Sequence, residues 1–423
     1  MKTLPIANLL DKAGLPKALF WGYAGILIFM MGDGLEQGWL SPYLIDNGLS
    51  IEQSATLFTV YGVTIALSSW LSGVFAETYG IRKAMVTGLV LYLLGIIGFV
   101  GIGMTQFSFP AMLLTYAFKG FGYPLFAYSF LVWIAYVSPK KKLGAAVGWF
   151  WFFFTGGLNV LGAYYSIWAI EHLGHINTLW SGIIWVLIGA FFALILNKAK
   201  FQNHPSSSKS HFQDLIKGLT IVKTEPKVLL GGIVRTINTT AQFAFPVFLP
   251  THMEQFGIST TDWLQIWGII FTSNILFNLL FGMIGDRIGW QRTILWFGGV
   301  GCTVTTLLLY YSPQLFGENL WLIQIAGILW GATLAGYVPL SALMPSLVSQ
   351  DKGAAISILN LGAGLPVFVG PAIVGLFIGW LGATGVVWIL AALFLVSSIL
   401  TAFITLPEGE NAIKTDVSAI KEN

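Results

Sequence analysis

Apolar residues run through this chain in long blocks separated by short polar interruptions. A helix crossing a bilayer needs about 20 largely apolar residues. Twelve blocks meet that length, at roughly 18–43, 54–76, 84–104, 109–137, 143–169, 175–196, 228–251, 262–285, 292–311, 319–347, 353–378 and 383–406. An even number places both ends of the chain on one side of the membrane. The interruptions alternate in charge. Lys and Arg occupy the N-terminal tail, 77–83, 138–143, 197–227, 286–292, position 352 and the C-terminal tail. The loops between them carry acids and His, among them Asp46, Glu52, Glu171, His172, Glu254, Asp262 and Glu318. Basic loops stay in the cytoplasm, so both termini are expected there.

Composition agrees with a membrane protein. The chain is 56% hydrophobic and 9% charged, against roughly 25% charged for a soluble domain. Its net charge of +3 is accounted for by the cytoplasmic loops and gives no reason to expect nucleic-acid binding. A single cysteine, Cys302, excludes an internal disulfide and a Cys-based metal site. The first 17 residues hold Pro5 and Pro16 but no apolar core before a small-residue cleavage site, so span 1 is expected to insert uncleaved. No phosphate-binding loop, metal cluster or nucleophile–base set is present, so neither direct ATP drive nor an enzyme is expected, and no cofactor. His172 and His175, three apart on an outer loop, read as a solvated turn.

The polar stretch at 197–227 divides the chain into 1–196, a linker, 228–408 and a tail at 409–423. The two large parts repeat. Gly73, Glu77 and Gly80 recur as Gly282, Asp286 and Gly289, each 209 residues later, and Gly144-Ala145-Ala146 recurs as Gly353-Ala354-Ala355 at the same offset. Three landmarks at one spacing imply two six-helix bundles related by an axis along the membrane normal, with a site between them near mid-membrane. The expected fold is therefore an all-α integral membrane protein of twelve transmembrane helices in two pseudo-symmetric bundles.

Gly73-x3-Glu77-x2-Gly80-x-Arg82-Lys83 and Gly282-x3-Asp286-Arg287-x-Gly289-x2-Arg292 resemble the signature loop of the major facilitator superfamily. Gly32-Asp33-Gly34-x-Glu36, Tyr123-Pro124-Leu125-Phe126, Gly148-Trp149-Phe150-Trp151 and Arg235-x2-Asn238 resemble its ribitol and arabinitol (polyol) permeases. Two positions depart from the pattern. Glu77 stands where the loop usually has Asp, and Lys119 where this subfamily leads one to expect Arg. The resemblance implies that spans 1, 4, 7 and 10 line a central cavity. It also implies that Glu77, Arg82, Lys83, Asp286, Arg287 and Arg292 gate the cytoplasmic edge.

Four ionisable residues lie inside spans: Asp33, Glu36, Lys119 and Arg235. A charge at mid-bilayer costs about 2.5–3.5 kcal/mol on insertion scales and is rarely kept without a use. Asp33 and Glu36, three apart, share a helix face. Lys119 and Tyr123 share another, and Arg235, Asn238 and Gln242 form a stripe. Asp33 is the expected proton site, with Lys119 its partner and Glu36 the alternative. Two acids facing two bases make a balanced set, which suits a neutral hydroxylated solute. The expected solute-binding residues are Glu36, Tyr123, Trp151, Arg235, Asn238, Gln242, Gln324 and Asn360. Trp39, near the outer end of span 1, reads as part of an interfacial aromatic belt. The expected activity is proton-coupled symport of a pentitol by a monomer in the bacterial cytoplasmic membrane. A sugar or hydroxylated acid as solute, or a transport-inactive sensor, remain the alternatives.

Overall fold

The computed structural model describes residues 14–138, 143–198, 221–348 and 352–405 and is helical throughout, with no strand among them. The 197–227 linker lies largely outside the described residues, as do the C-terminal tail and Lys140, Lys141 and Lys142. By length and composition alone, eight described helices can cross a bilayer. The number falls below twelve for local reasons. Ala145–Leu196 and Pro366–Ala402 each contain two spans, divided where Gly174 (φ 76°) and Gly382 (φ 66°) turn the chain. Pro226–Glu254 carries the polar stripe of Arg235, Asn238 and Gln242.

Span 1 is not one helix. Phe20–Gly34 ends, the chain turns, and Leu40–Asp46 resumes. Gly38 supplies the turn with φ 92°, a conformation costly for any residue with a Cβ. Gly34 is required for a second reason: a Cβ there would fall on the carbonyl of Leu158 in span 5. The turn overturns the expectation for Trp39. Its ring is fully buried rather than in the outer belt, because the break folds residues 35–39 inward, and its indole N–H donates to Leu35 O at 2.5 Å.

Each half has its own apolar core. One is built from residues such as Phe29, Phe126 and Trp133, the other from Phe245, Trp267 and Trp330. The repeat read from the sequence is repeated in conformation. Gly80 and Gly289, 209 residues apart, take φ/ψ of 95°/139° and 101°/138° at the turns between spans 2 and 3 and spans 8 and 9. The reciprocal caps Ser50–Gln53 and Ser259–Asp262 start spans 2 and 8 at the same spacing, each satisfying two otherwise unpaired backbone N–H groups. Arg82 donates to Leu194 O at 3.0 Å and Asn197 O at 2.7 Å. Gln291, again 209 residues on, donates to Thr401 O and Ala402 O, both at 3.0 Å. In both halves the start of the third helix thus caps the end of the sixth, where the carbonyls and the helix dipole favour a donor.

The halves meet closely toward the acidic-loop side. Ser41 Oγ donates to Val247 O at 2.6 Å. A Cβ at Gly62 would meet the backbone of Val367, and one at Gly379 would lie 2.9 Å from Glu52 Oε1. At the basic-loop side, Gly73, Gly80, Gly282 and Gly289 have no atom within 4 Å of where a Cβ would stand.

These contacts set a paired prediction. Gly34→Ala forces two backbones apart, and overpacking of this kind costs about 1–3 kcal/mol. Gly73→Ala enters open space within a helix and should leave stability within about 1 kcal/mol of wild type. Thermal melting of the purified protein in detergent distinguishes the two.

Candidate functional site

Lys119 lies in Phe109–Val137, a helix pressed against span 3 because Gly95 and Gly122 have no side chains to hold them apart. A Cβ at Gly95 would strike the backbone of Lys119 itself. The Lys119 side chain is fully buried. Its Nζ stands 3.0 Å from Asp33 Oδ1 and also donates to Glu36 Oε1. Tyr116 OH donates to the same Glu36 oxygen, and Tyr61 OH to Asp33 Oδ1 at 3.3 Å. The rings of Tyr61, Tyr92 and Tyr116 each have their centroid 5.1 Å from Nζ. A cation loses water on burial, and ion pairs with hydrogen bonds must replace it. Here two carboxylates and three ring faces, each attractive to a cation, do so. Lysine suits the place because its three N–H bonds diverge from one point, whereas an arginine fork presents a plane.

Asp33 and Glu36 reach one lysine although the helix between them ends at Gly34. Both are 4% exposed. They line a cavity between the halves, about 560 Å³ with its open solvent included, and Lys119 stands behind them, outside the lining. Tyr61, Tyr116 and Tyr123 complete the polar wall on the first half, and Phe243, Pro246 and Val367 form an apolar wall on the second. With both carboxyls ionised, the trio carries a net charge of −1.

Arg235 does not join them. It is half-buried in span 7, outside the cavity lining, and no carboxylate among the described residues pairs with it. Its stem packs over Gly362. The four charges are therefore grouped three and one, not as the two facing pairs expected from the sequence. Asn238 is buried in the same span. Gln242 Nε2 donates across the interface to Asn159 Oδ1 at 3.5 Å. Asn159 sits in a π-helical turn at Gly156–Leu161, the kind of irregularity often found at functional sites. Trp151 packs on Tyr128, with ring centroids 6.1 Å apart, and neither lines the cavity. Asn360 is exposed and Gln324 half-buried, both away from the cavity lining.

The expected gate residues are spread out. Arg82 is tied to its own half by the helix cap described above, with its guanidinium 5.1 Å from the Trp133 ring centroid. Lys83, Asp286, Arg287 and Arg292 are exposed, and Asp286 accepts from Trp290 Nε1 at 2.9 Å. The side chain of Glu77 lies outside the described residues. Sequence reasoning missed Tyr61, Tyr92 and Tyr116. Tyr116 stands three residues before Lys119 on one helix face and was the available signal.

The sequence profile of the Major Facilitator Superfamily matches residues 22–319 and 268–421. The chain belongs to that superfamily. It is 52% identical over 416 residues to the alpha-ketoglutarate permease of Bacillus subtilis (strain 168), spanning 98% of this chain and 96% of that one. It is 38% identical over 395 residues to the D-arabinitol transporter of Klebsiella pneumoniae, spanning 92% and 93%. Among solved structures, a D-xylose-proton symporter superposes with a TM-score of 0.69 at 15% identity, covering 92% of this chain and 97% of that one. Spans 1 and 4 bring Asp33, Glu36, Tyr116 and Tyr123 to one cavity, and span 7 contributes Phe243, Pro246 and Val247. The relatives are transporters, and this chain is a multi-pass membrane protein of the same type.

Removing the lysine should be severe. Lys119→Met leaves two buried carboxylates with no cation, and breaking a buried pair in this way costs about 3–5 kcal/mol. Protonating the carboxyls removes that unpaired charge. The loss of melting temperature should therefore be large at pH 8 and smaller at pH 5, while Leu114→Met on the exposed face shows neither effect.

Proposed function

We propose that this protein imports a neutral polyhydroxylated solute of the pentitol type together with a proton, by alternating access of its two bundles. The observation that carries this is the charge of the cavity wall. Asp33 and Glu36 line the cavity while their cation stands behind them, so the wall offers hydrogen-bond acceptors under a net negative charge. Such a wall attracts hydroxyl donors and repels carboxylates. The tyrosine and phenylalanine faces suit the C–H edges of a polyol. The 38% identical D-arabinitol transporter supports the same solute class.

In the proposed cycle Asp33 takes the proton. Its contacts are the longer ones, 3.0 Å to Lys119 and 3.3 Å to Tyr61, whereas Glu36 keeps both Lys119 and Tyr116. Protonation brings the trio from −1 to neutral, so the loaded protein carries no net charge at this site when it turns inward. One charge crossing per cycle yields about 2.3 kcal/mol per 100 mV, enough for roughly fifty-fold accumulation of a neutral solute. The basic loops and both termini face the cytoplasm of a bacterial cell in this reading, and the cleft is open inward. The signature loops bearing Glu77 and Asp286 close that side in the other state. Asn238 and Gln242 contact the solute from the second bundle.

A second reading has its own observation. Arg235, without a carboxylate partner among the described residues, is available to the carboxylate of a 2-oxo or hydroxy acid, as the 52% identical alpha-ketoglutarate permease invites. A thermal-shift panel separates the two, since a ligand stabilises in proportion to its binding. D-arabinitol or ribitol should raise the melting temperature, and 2-oxoglutarate should not. Arg235→Gln should leave the polyol shift in place. A shift with 2-oxoglutarate that Arg235→Gln abolishes would replace the polyol with the acid.

A further inference from the structure

The wall of the central cavity is rich in hydrogen-bond acceptors and short of donors. Asp33 and Glu36, while ionised, can only accept. The hydroxyl hydrogens of Tyr61 and Tyr116 are spent on those carboxylates, which leaves a solute only their oxygens. Lys119 stands outside the lining and points its ammonium at the same two acids. The second half lines the cavity with Phe243, Pro246, Val247, Val367 and Pro371. None has a polar side chain, and the two prolines lack even a backbone N–H.

A polyol asks for both kinds of partner. Each hydroxyl has one hydrogen to give and two lone pairs to fill. A wall of acceptors serves the hydrogens and leaves the oxygens stripped of water, which costs affinity. Gln37 answers that need. Asp33, Glu36 and Gln37 stand at i, i+3 and i+4, and all three line the cavity. Gln37 is half-buried. Its amide stays accessible and has no hydrogen-bond partner among the described residues. Among the described residues that line the cavity, it has the only side chain with an N–H, and Tyr123 adds one hydroxyl.

An amide presents its C=O and its N–H side by side. We infer that Gln37 is a specificity-determining residue: its C=O accepts from one solute hydroxyl while its N–H donates to the oxygen of the next, so the site selects solutes with hydroxyls on adjacent carbons. This rests on the polyhydroxylated-solute reading above. The carboxylates take hydroxyl hydrogens, and Gln37 adds the group that reads hydroxyl oxygens. A solute lacking one of the two hydroxyls leaves half of the amide unmet, and that mismatch is how a polar site rejects a close analogue.

A cycle that pairs a side-chain change with a hydroxyl change tests it. D-arabinitol and its monodeoxy analogues are bound to the full chain in lipid nanodiscs. Wild type should bind at least one analogue about tenfold more weakly than D-arabinitol. Gln37→Met, matched in length but without an amide, should bind D-arabinitol about tenfold more weakly than wild type does, and should shrink the penalty for that analogue to about threefold or less. Gln37→Leu enters the same cycle where Gln37→Met melts well below wild type without ligand. A purely structural role would weaken every solute alike. Penalties that are equal in wild type and variant for every analogue, or absent in wild type, therefore overturn the inference while the polyol reading stands. No binding of D-arabinitol to wild type overturns the polyol reading, and the role of Gln37 falls with it.

Discussion

One buried ammonium holds this structure's chemistry together. Lys119 has no exposed surface and is shared by Asp33 and Glu36. Each of the three would be costly alone in a low-dielectric interior. Together they tolerate burial, yet they do not balance: two acids on one base leave a surplus negative charge at the cavity wall. In the proposed cycle a proton cancels that surplus, and the same surplus selects neutral solutes over acids. The tyrosines around Lys119 hold the carboxyl oxygens by hydrogen bonds and the ammonium by their faces, so the cluster stays assembled in a cleft that must open and close.

The backbone is arranged to allow this. Glycines at 34, 95 and 122 let helices approach until main chains nearly touch, span 1 on span 5 and span 3 on span 4. The break at Gly34–Gly38 turns the outer part of span 1 away while leaving Asp33 and Glu36 on the same lysine. The two halves share one plan, seen in Gly80 and Gly289 and in the caps made by Arg82 and Gln291. They differ where the chemistry lies. Asp33 corresponds at the 209-residue spacing to Gln242, so the first half brings charge and the second an uncharged amide.

Much of this was legible in the sequence, and the failures have physical causes. Long apolar blocks and a constant repeat offset report the fold because bilayer thickness and helical rise leave little freedom. Asp33, Glu36 and Lys119 stood out because charge inside an apolar block is rare. Their grouping did not, because a count of two acids and two bases says nothing of distance; Arg235 lies on another helix, outside the lining of the central cavity. Trp39 was misread because a break in span 1 reorients every residue beyond it. Tyr61 and Tyr92 gave no sign, since an aromatic in a membrane helix has many ordinary uses. Gln324 and Asn360 had polarity in their favour, but polarity does not say which way a helix faces.

The central claim, that Asp33 exchanges a proton as solute moves, is met most directly by following external pH while D-arabinitol is added to de-energised proteoliposomes in weak buffer. Wild-type protein should alkalinise the medium as solute enters. Asp33→Asn should admit solute down its gradient with no alkalinisation. Proton uptake by Asp33→Asn equal to wild type, at equal solute entry, would contradict the account.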